Sequence, residues 1–140
     1  MKDESHAFEH FMRRREDAAR AYVRGDTAPL SRIVANVSPA TFFGPMGGYE
    51  QGPAHVCAIY ERGADHFTSG ESHFETLHLA AGDSVAYWVG FQRATVRLDR
   101  SAEAIPFDLR VTEVFCREGG NWKLVHRHAD TLISESDDGK

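Results

Sequence analysis

Cysteine is scarce in this chain: Cys57 and Cys116 are the only two, and they lie far apart among apolar neighbours. No C-x-x-C or similar ligand spacing joins them, which excludes zinc-ribbon and dithiol redox chemistry. Each reads as a buried free thiol in a reducing compartment. No apolar run approaches the roughly 20 residues that cross a bilayer. The opening Met1-Lys2-Asp3-Glu4-Ser5-His6 lacks the apolar centre of a secretory signal, so the expected location is the cytoplasm. Basic charge is also in short supply. The 16 Lys and Arg face 21 Asp and Glu, a net charge of -5 that repels phosphate backbones and leaves neither nucleic acid nor membrane as an expected partner. The one basic run, Arg13-Arg14-Arg15, is followed at once by Glu16 and Asp17 and reads as the wet face of a helix. There is no G-x-S-x-G elbow for a nucleophile. Gly44 to Gly48 has the spacing of neither a P-loop nor a dinucleotide fingerprint, and no cofactor is expected.

What is present is patterned for one domain, 1–133, in a chain of 140 residues without internal repeats or linkers. The polar, acidic stretch 134–140 is expected to be a flexible tail. Phe8, Phe11, Met12, Ala19, Tyr22 and Val23 recur at helical spacing and predict an amphipathic helix over 5–24, capped by Asp3 or Ser5 and stopped by Gly25. Asp26 or Thr27 then caps a short helix carrying Pro29, Leu30, Ile33 and Val34. A β-prone segment over 36–43 precedes the glycine-rich loop, and 49–66 reads as a third helix, broken at 68–70. Alternating segments over 72–79, 84–98, 107–117 and 122–132 predict four strands, the last two joined by a hairpin at Glu118-Gly119-Gly120-Asn121. Helices first and strands after predict an α+β fold with a mainly antiparallel sheet.

That order carries four specific strings: Ala40-Thr41-Phe42-Phe43-Gly44-Pro45, Val85-Ala86-Tyr87-Trp88-Val89-Gly90, Leu109 to Phe115, and Gly120-Asn121-Trp122-Lys123-Leu124-Val125-His126-Arg127-His128-Ala129-Asp130. Together they resemble the SnoaL-like branch of the nuclear transport factor 2 and ketosteroid isomerase superfamily. The closing hairpin also resembles that of the association domain of calcium/calmodulin-dependent kinase II. The resemblance implies a curved sheet wrapped as a cone around about three N-terminal helices, the cystatin-like layout. It further implies a homodimer through the outer sheet face. It does not imply one reaction, since relatives include isomerases, dehydratases, cyclases and assembly modules.

The steroid-isomerase machinery does not carry over. The acidic residue of its acid–Pro step is replaced by Gly44 before Pro45, and the position of its helical tyrosine falls near Ala18, with Tyr22 one turn away. Glu113 and Arg127, on the last two strands, are implied by the resemblance to face a cavity. A buried Glu–Arg pair binds a carboxylate or polarises a carbonyl; the other reading is an ion pair that fixes sheet register. Glu75, beside His73, is the third candidate for acid/base work. Phe43, Tyr87, Phe91 and Phe115 are the expected apolar walls for a small apolar ligand such as a hydrophobic carbonyl compound, with His55 and Tyr60 near the mouth. Trp88 points the opposite way from Tyr87 and is placed in the dimer contact. His126, His128 and Asp130 share a strand face and read either as metal ligands or, with Trp122 and Leu124, as dimer contact; no metal is assigned. The two function classes left open are a small-molecule-binding domain with possible acid/base activity and a non-catalytic dimeric interaction module with a vestigial pocket.

Overall fold

The computed structural model describes residues 2–133, with side chains from residue 6 onward. The helix cap assigned to Asp3 or Ser5 and the tail over 134–140 lie outside the described side chains. Helix α1 (Lys2–Tyr22) is followed by the short α2 (Ala28–Ser31), where the Asp26 carboxylate accepts the Ala28 amide at 3.0 Å. Then come β1 (Thr41–Phe43), β2 (Tyr49–Gln51), α3 (Pro53–Ala64), β3 (Phe67–Ala81), β4 (Val85–Leu98), β5 (Ile105–Pro106), β6 (Leu109–Glu118) and β7 (Asn121–Thr131). The sheet runs β2-β1-β7-β6-β4-β3, with β5 paired to β4. Every pairing is antiparallel except β1 with β7. This is the expected α+β layout, with a curved, unclosed sheet and the helices toward the N-terminus.

Three local readings are corrected. The third helix begins only at Pro53, because Gly52 adopts a positive φ of 96° ahead of it and 49–51 pairs with β1 instead. The expected break at 68–70 is strand, because β3 pairs with β4 from Phe67 onward. The β-prone segment over 36–43 shrinks to Thr41–Phe43, the part that finds partners on both sides.

The inner face follows from strict alternation. On β6, Leu109, Val111, Glu113 and Phe115 are buried; on β4, Ala86, Trp88, Gly90, Gln92, Ala94 and Val96 are. Phe8 and Phe11 of α1 meet Phe115 edge-on at 5.4 and 5.2 Å between ring centres. Phe74 stacks on Trp88 at 4.4 Å. The interior is thereby filled largely by aromatic rings.

Two bulges decide which side chains face in. Between Val114 and Phe115 the pairing with β7 slips past Val125. Trp122 and Leu124 therefore face the core before the bulge, and Arg127 and Ala129 after it, while His126, His128 and Asp130 turn outward. The second bulge, at Leu77 between Thr76 and His78, puts His78 on the same outer face as His73, contrary to simple alternation. Gly90 lies directly opposite Thr76 at this bend, and a Cβ there would collide with the Glu75 carbonyl oxygen. Replacing Gly90 by alanine is expected to destabilise the fold by about 1–3 kcal/mol, the usual cost of overpacking. Urea unfolding of the Gly90→Ala variant checks this; an unchanged midpoint would show that the bend does not need glycine.

Candidate functional site

The charged centre of the cone is built from side chains that the strand and helix periods direct inward. Arg15 occupies the stripe set by Phe8, Phe11 and Met12, at helical intervals of three, four and seven, so it enters the core with them. It is 3% exposed and is not the solvated residue that its place in a basic run suggested. Glu113 is fully buried and Arg127 is 8% exposed. The Arg15 guanidinium forks onto the Glu113 carboxylate, Nε donating to Oε1 at 2.9 Å and Nη2 to Oε2 at 2.7 Å. Trp88 Nε1 donates to Oε1 at 2.8 Å and Arg127 Nη1 to Oε2 at 2.7 Å. Arg127 Nη2 continues to Gln92 Oε1 at 2.8 Å, and Gln92 Nε2 to Ser72 Oγ at 3.0 Å. One carboxylate thus joins α1, β4, β6 and β7.

These contacts fix its protonation. Burial alone would push the Glu113 carboxyl up. The guanidiniums of Arg15 and then Arg127, with hydrogen bonds from Arg15 and Trp88, more than reverse this and hold it down at about 2. A carboxylate this acidic, with four donors on two oxygens, makes a poor general base near neutral pH. Burial acts to lower the Arg15 guanidinium, but the Glu113 charge outweighs it and the value is raised, so the cation persists.

Beside this cluster lies a recess of about 30 Å³ lined by Arg15, Ala19, Tyr22, Leu30, Tyr60, Gln92 and Arg127. Tyr22 donates its hydroxyl to the Tyr60 carbonyl at 2.8 Å. Burial pushes the Tyr22 phenol up to about 12 and the Tyr60 phenol higher still, so both stay protonated. Arg15 Nη1 and the Tyr60 hydroxyl are buried with no protein hydrogen-bond partner.

Of the other expected site residues, Tyr60 lines this recess and the rest lie elsewhere. Phe115 is inside, but as packing against Phe8 and Phe11 and not as a wall of the recess. Tyr87 and Phe91 alternate with Trp88 and so lie on the outer face, while Trp88 is in the core: the reverse of the expected assignment, because the Trp88 indole N–H pairs with the buried Glu113 carboxylate. Phe43 is 41% exposed on the outer face, edge-on to His126 and His128 at 4.9 and 5.5 Å. It borders an open groove of about 480 Å³ with Gly44, Gly47, Gly48 and Tyr49. His55 is exposed on α3, and Tyr60 faces the recess. Glu75 is exposed on the outer side and accepts Arg93 Nε at 3.0 Å, which removes it from the interior chemistry. It borders a larger open cleft of about 640 Å³, where Arg20, Arg24 and Arg93 are balanced by Glu71, Glu75 and Asp108. Thr41 Oγ1 and His126 Nδ1 are 2.7 Å apart, and burial followed by the neighbouring His128 charge lowers the His126 value. Among the described residues no group of three or more His, Cys, Asp or Glu side chains is arranged to hold a metal ion.

The family model for the SnoaL-like domain matches residues 14–134. An NTF2-like family protein from Streptomyces avermitilis superposes with a TM-score of 0.78 at 16% identity, covering 94% of this chain and 99% of the other. A protein with a cystatin-like fold from Caulobacter vibrioides gives 0.72 at 10% identity, covering 99% and 96%. The association domain of C. elegans CaMKII gives 0.69 at 20% identity, covering 94% and 100%. No curated protein sequence matches the chain. The chain belongs to the SnoaL-like domain family.

The lowered Glu113 value carries a stability prediction. A carboxyl depressed from its ordinary 4.5 to about 2 adds stability above 4.5, and this contribution is lost as pH falls through that window. Glu113→Gln is expected to cost about 3–5 kcal/mol at neutral pH, because it leaves buried guanidinium charge uncompensated. Its stability should also fall less steeply than wild type between pH 4.5 and about 2. Urea unfolding across that pH range tests both, and parallel curves for the two proteins would contradict the assignment.

Proposed function

We propose that this domain is a non-catalytic self-association module, two copies meeting through the outer sheet face, and not an acid/base enzyme acting on a hydrophobic carbonyl compound. The observation that carries this reading is the composition of that face. Strand register aligns Val89, Thr112, His128 and Phe43 in one row, and Tyr87, Val114, His126 and Thr41 in the next. Leu77 and Val85, at 59% and 50% exposure, extend the apolar surface along β3 and β4. Beyond these rows lies Phe91, followed by the ion pair of Arg110 with Asp130 at 2.6 and 2.8 Å. An apolar centre with a charged rim is the anatomy of a protein interface. Its rows have the alternation and twist suited to packing a second sheet face to face, and a second copy supplies the same surface in a two-fold arrangement.

The enzyme reading has less support. Both candidate carboxylates are engaged, Glu113 with two arginines and Trp88, Glu75 with Arg93. A recess of about 30 Å³ is too small for a polyketide-like ring or another apolar ligand of that size. The fold shared with the C. elegans CaMKII association domain is compatible with assembly.

In analytical ultracentrifugation the protein is expected to sediment at twice its 15.6 kDa chain mass. Val89→Lys or Val114→Lys, each placing an ammonium in the centre of the face, should give a monomer with unchanged far-ultraviolet circular dichroism. A wild-type monomer at micromolar concentration would overturn the reading, as would variants that dimerise as wild type does.

A further inference from the structure

The buried cluster does not balance its charge. Arg15 and Arg127 bring two positive charges and Glu113 one negative, so the group carries one net positive charge inside the cone. An uncompensated buried charge is costly unless something neutralises it. Two donors in the same place are also unused. Arg15 Nη1 and the Tyr60 hydroxyl are buried without a protein partner, and both residues line the recess with Arg127. They belong to side chains only 3% and 6% exposed. Buried orphan donors of this kind are rare in folded proteins, and one belongs to a guanidinium, the group that binds anions most directionally.

We propose that the recess is a binding site for a small monovalent anion, of halide or formate size, held by Arg15 Nη1, the Tyr60 hydroxyl and the charge of Arg127. The size follows from the volume. About 10–15 Å³ admits one water-sized group, so about 30 Å³ admits an ion of one to three heavy atoms and no substantial organic tail. The charge follows from the cluster: one negative charge neutralises it, whereas a divalent anion would leave an excess and is too large. Leu30 and Ala19 supply apolar wall, and Tyr22, hydrogen-bonded to the Tyr60 carbonyl, also lines the recess. This site is independent of the outer sheet face and stands whether or not the protein dimerises.

Saturable broadening of the chloride-35 resonance by the purified protein, with thermal unfolding in sodium salts at matched ionic strength, tests the proposal. The expected result is broadening that saturates and is displaced by formate. The unfolding midpoint should rise with the logarithm of chloride, bromide or formate concentration, and less in Tyr60→Phe, whereas the general stabilisation by sulfate should be the same in both proteins. Tyr60→Phe removes an orphan hydroxyl while keeping the ring, so the variant should fold. Its chloride affinity should fall about two- to tenfold, the range for one lost neutral donor. If the midpoint tracks ionic strength whatever the anion, and the chloride line broadens no more than with Tyr60→Phe, the proposal is overturned and the occupant is water.

Discussion

The carboxylate of Glu113 is the point on which the interior is organised. It joins α1 to three strands of the sheet by polar side chains, through Arg15, Trp88 and Arg127, in contacts of 2.7 to 2.9 Å. Such a cluster is not an efficient source of stability. Removing charges from water costs several kcal/mol per ion, and apolar replacements of equal volume often do as well. What it does provide is directionality. A bidentate arginine and an indole N–H accept one arrangement of α1 over the sheet, whereas a purely apolar contact tolerates sliding. It also makes both arginines dependent on Glu113, since removing that carboxylate leaves two buried guanidiniums without a counter-charge.

Two slips in strand register then distribute function between the faces. The bulge at Val125 sends Arg127 inward and the histidines outward, so the charged interior and the imidazoles of the outer face come from adjacent residues of one strand. The bulge at Leu77, opposite Gly90, bends the long β3–β4 hairpin and gathers His73, Glu75 and His78 on the outside. Interior and exterior therefore have different chemistries. Inside are aromatic packing and a positively charged cluster with two unused donors; outside are rows of Val, Tyr and Phe bounded by paired charges.

The sequence was legible where a single period dominates. The α+β order, four of the strands and the inward direction of Glu113 and Arg127 follow from patterns or from the family resemblance. It was misleading where two patterns compete. Arg15 sits in a run of three arginines, and the run suggested solvent, although its spacing from Phe8, Phe11 and Met12 places it on the buried stripe. That spacing was the signal available. On β4 both alternating sets are apolar, and aromatic bulk favoured Tyr87 and Phe91 as the inner set. The inner set is the one holding Trp88, whose indole N–H reaches the buried Glu113 carboxylate, with Ala86, Gly90 and Ala94 on the same face. The bulges left no mark in the sequence, and a one-residue slip reverses every later side chain. Hence His126 and His128 could not be separated from Trp122 and Leu124 by counting.

The most direct test of this account is the ionisation of Glu113 itself, followed by the carbon-13 shift of its carboxyl in the folded protein as pH is lowered. A carboxylate held by two arginines and Trp88 should remain ionised until about pH 2, or until the fold gives way. A midpoint at or above the ordinary 4.5 would contradict the account, because a carboxyl that takes up a proton so readily is not the clamp described and regains a claim to acid/base chemistry.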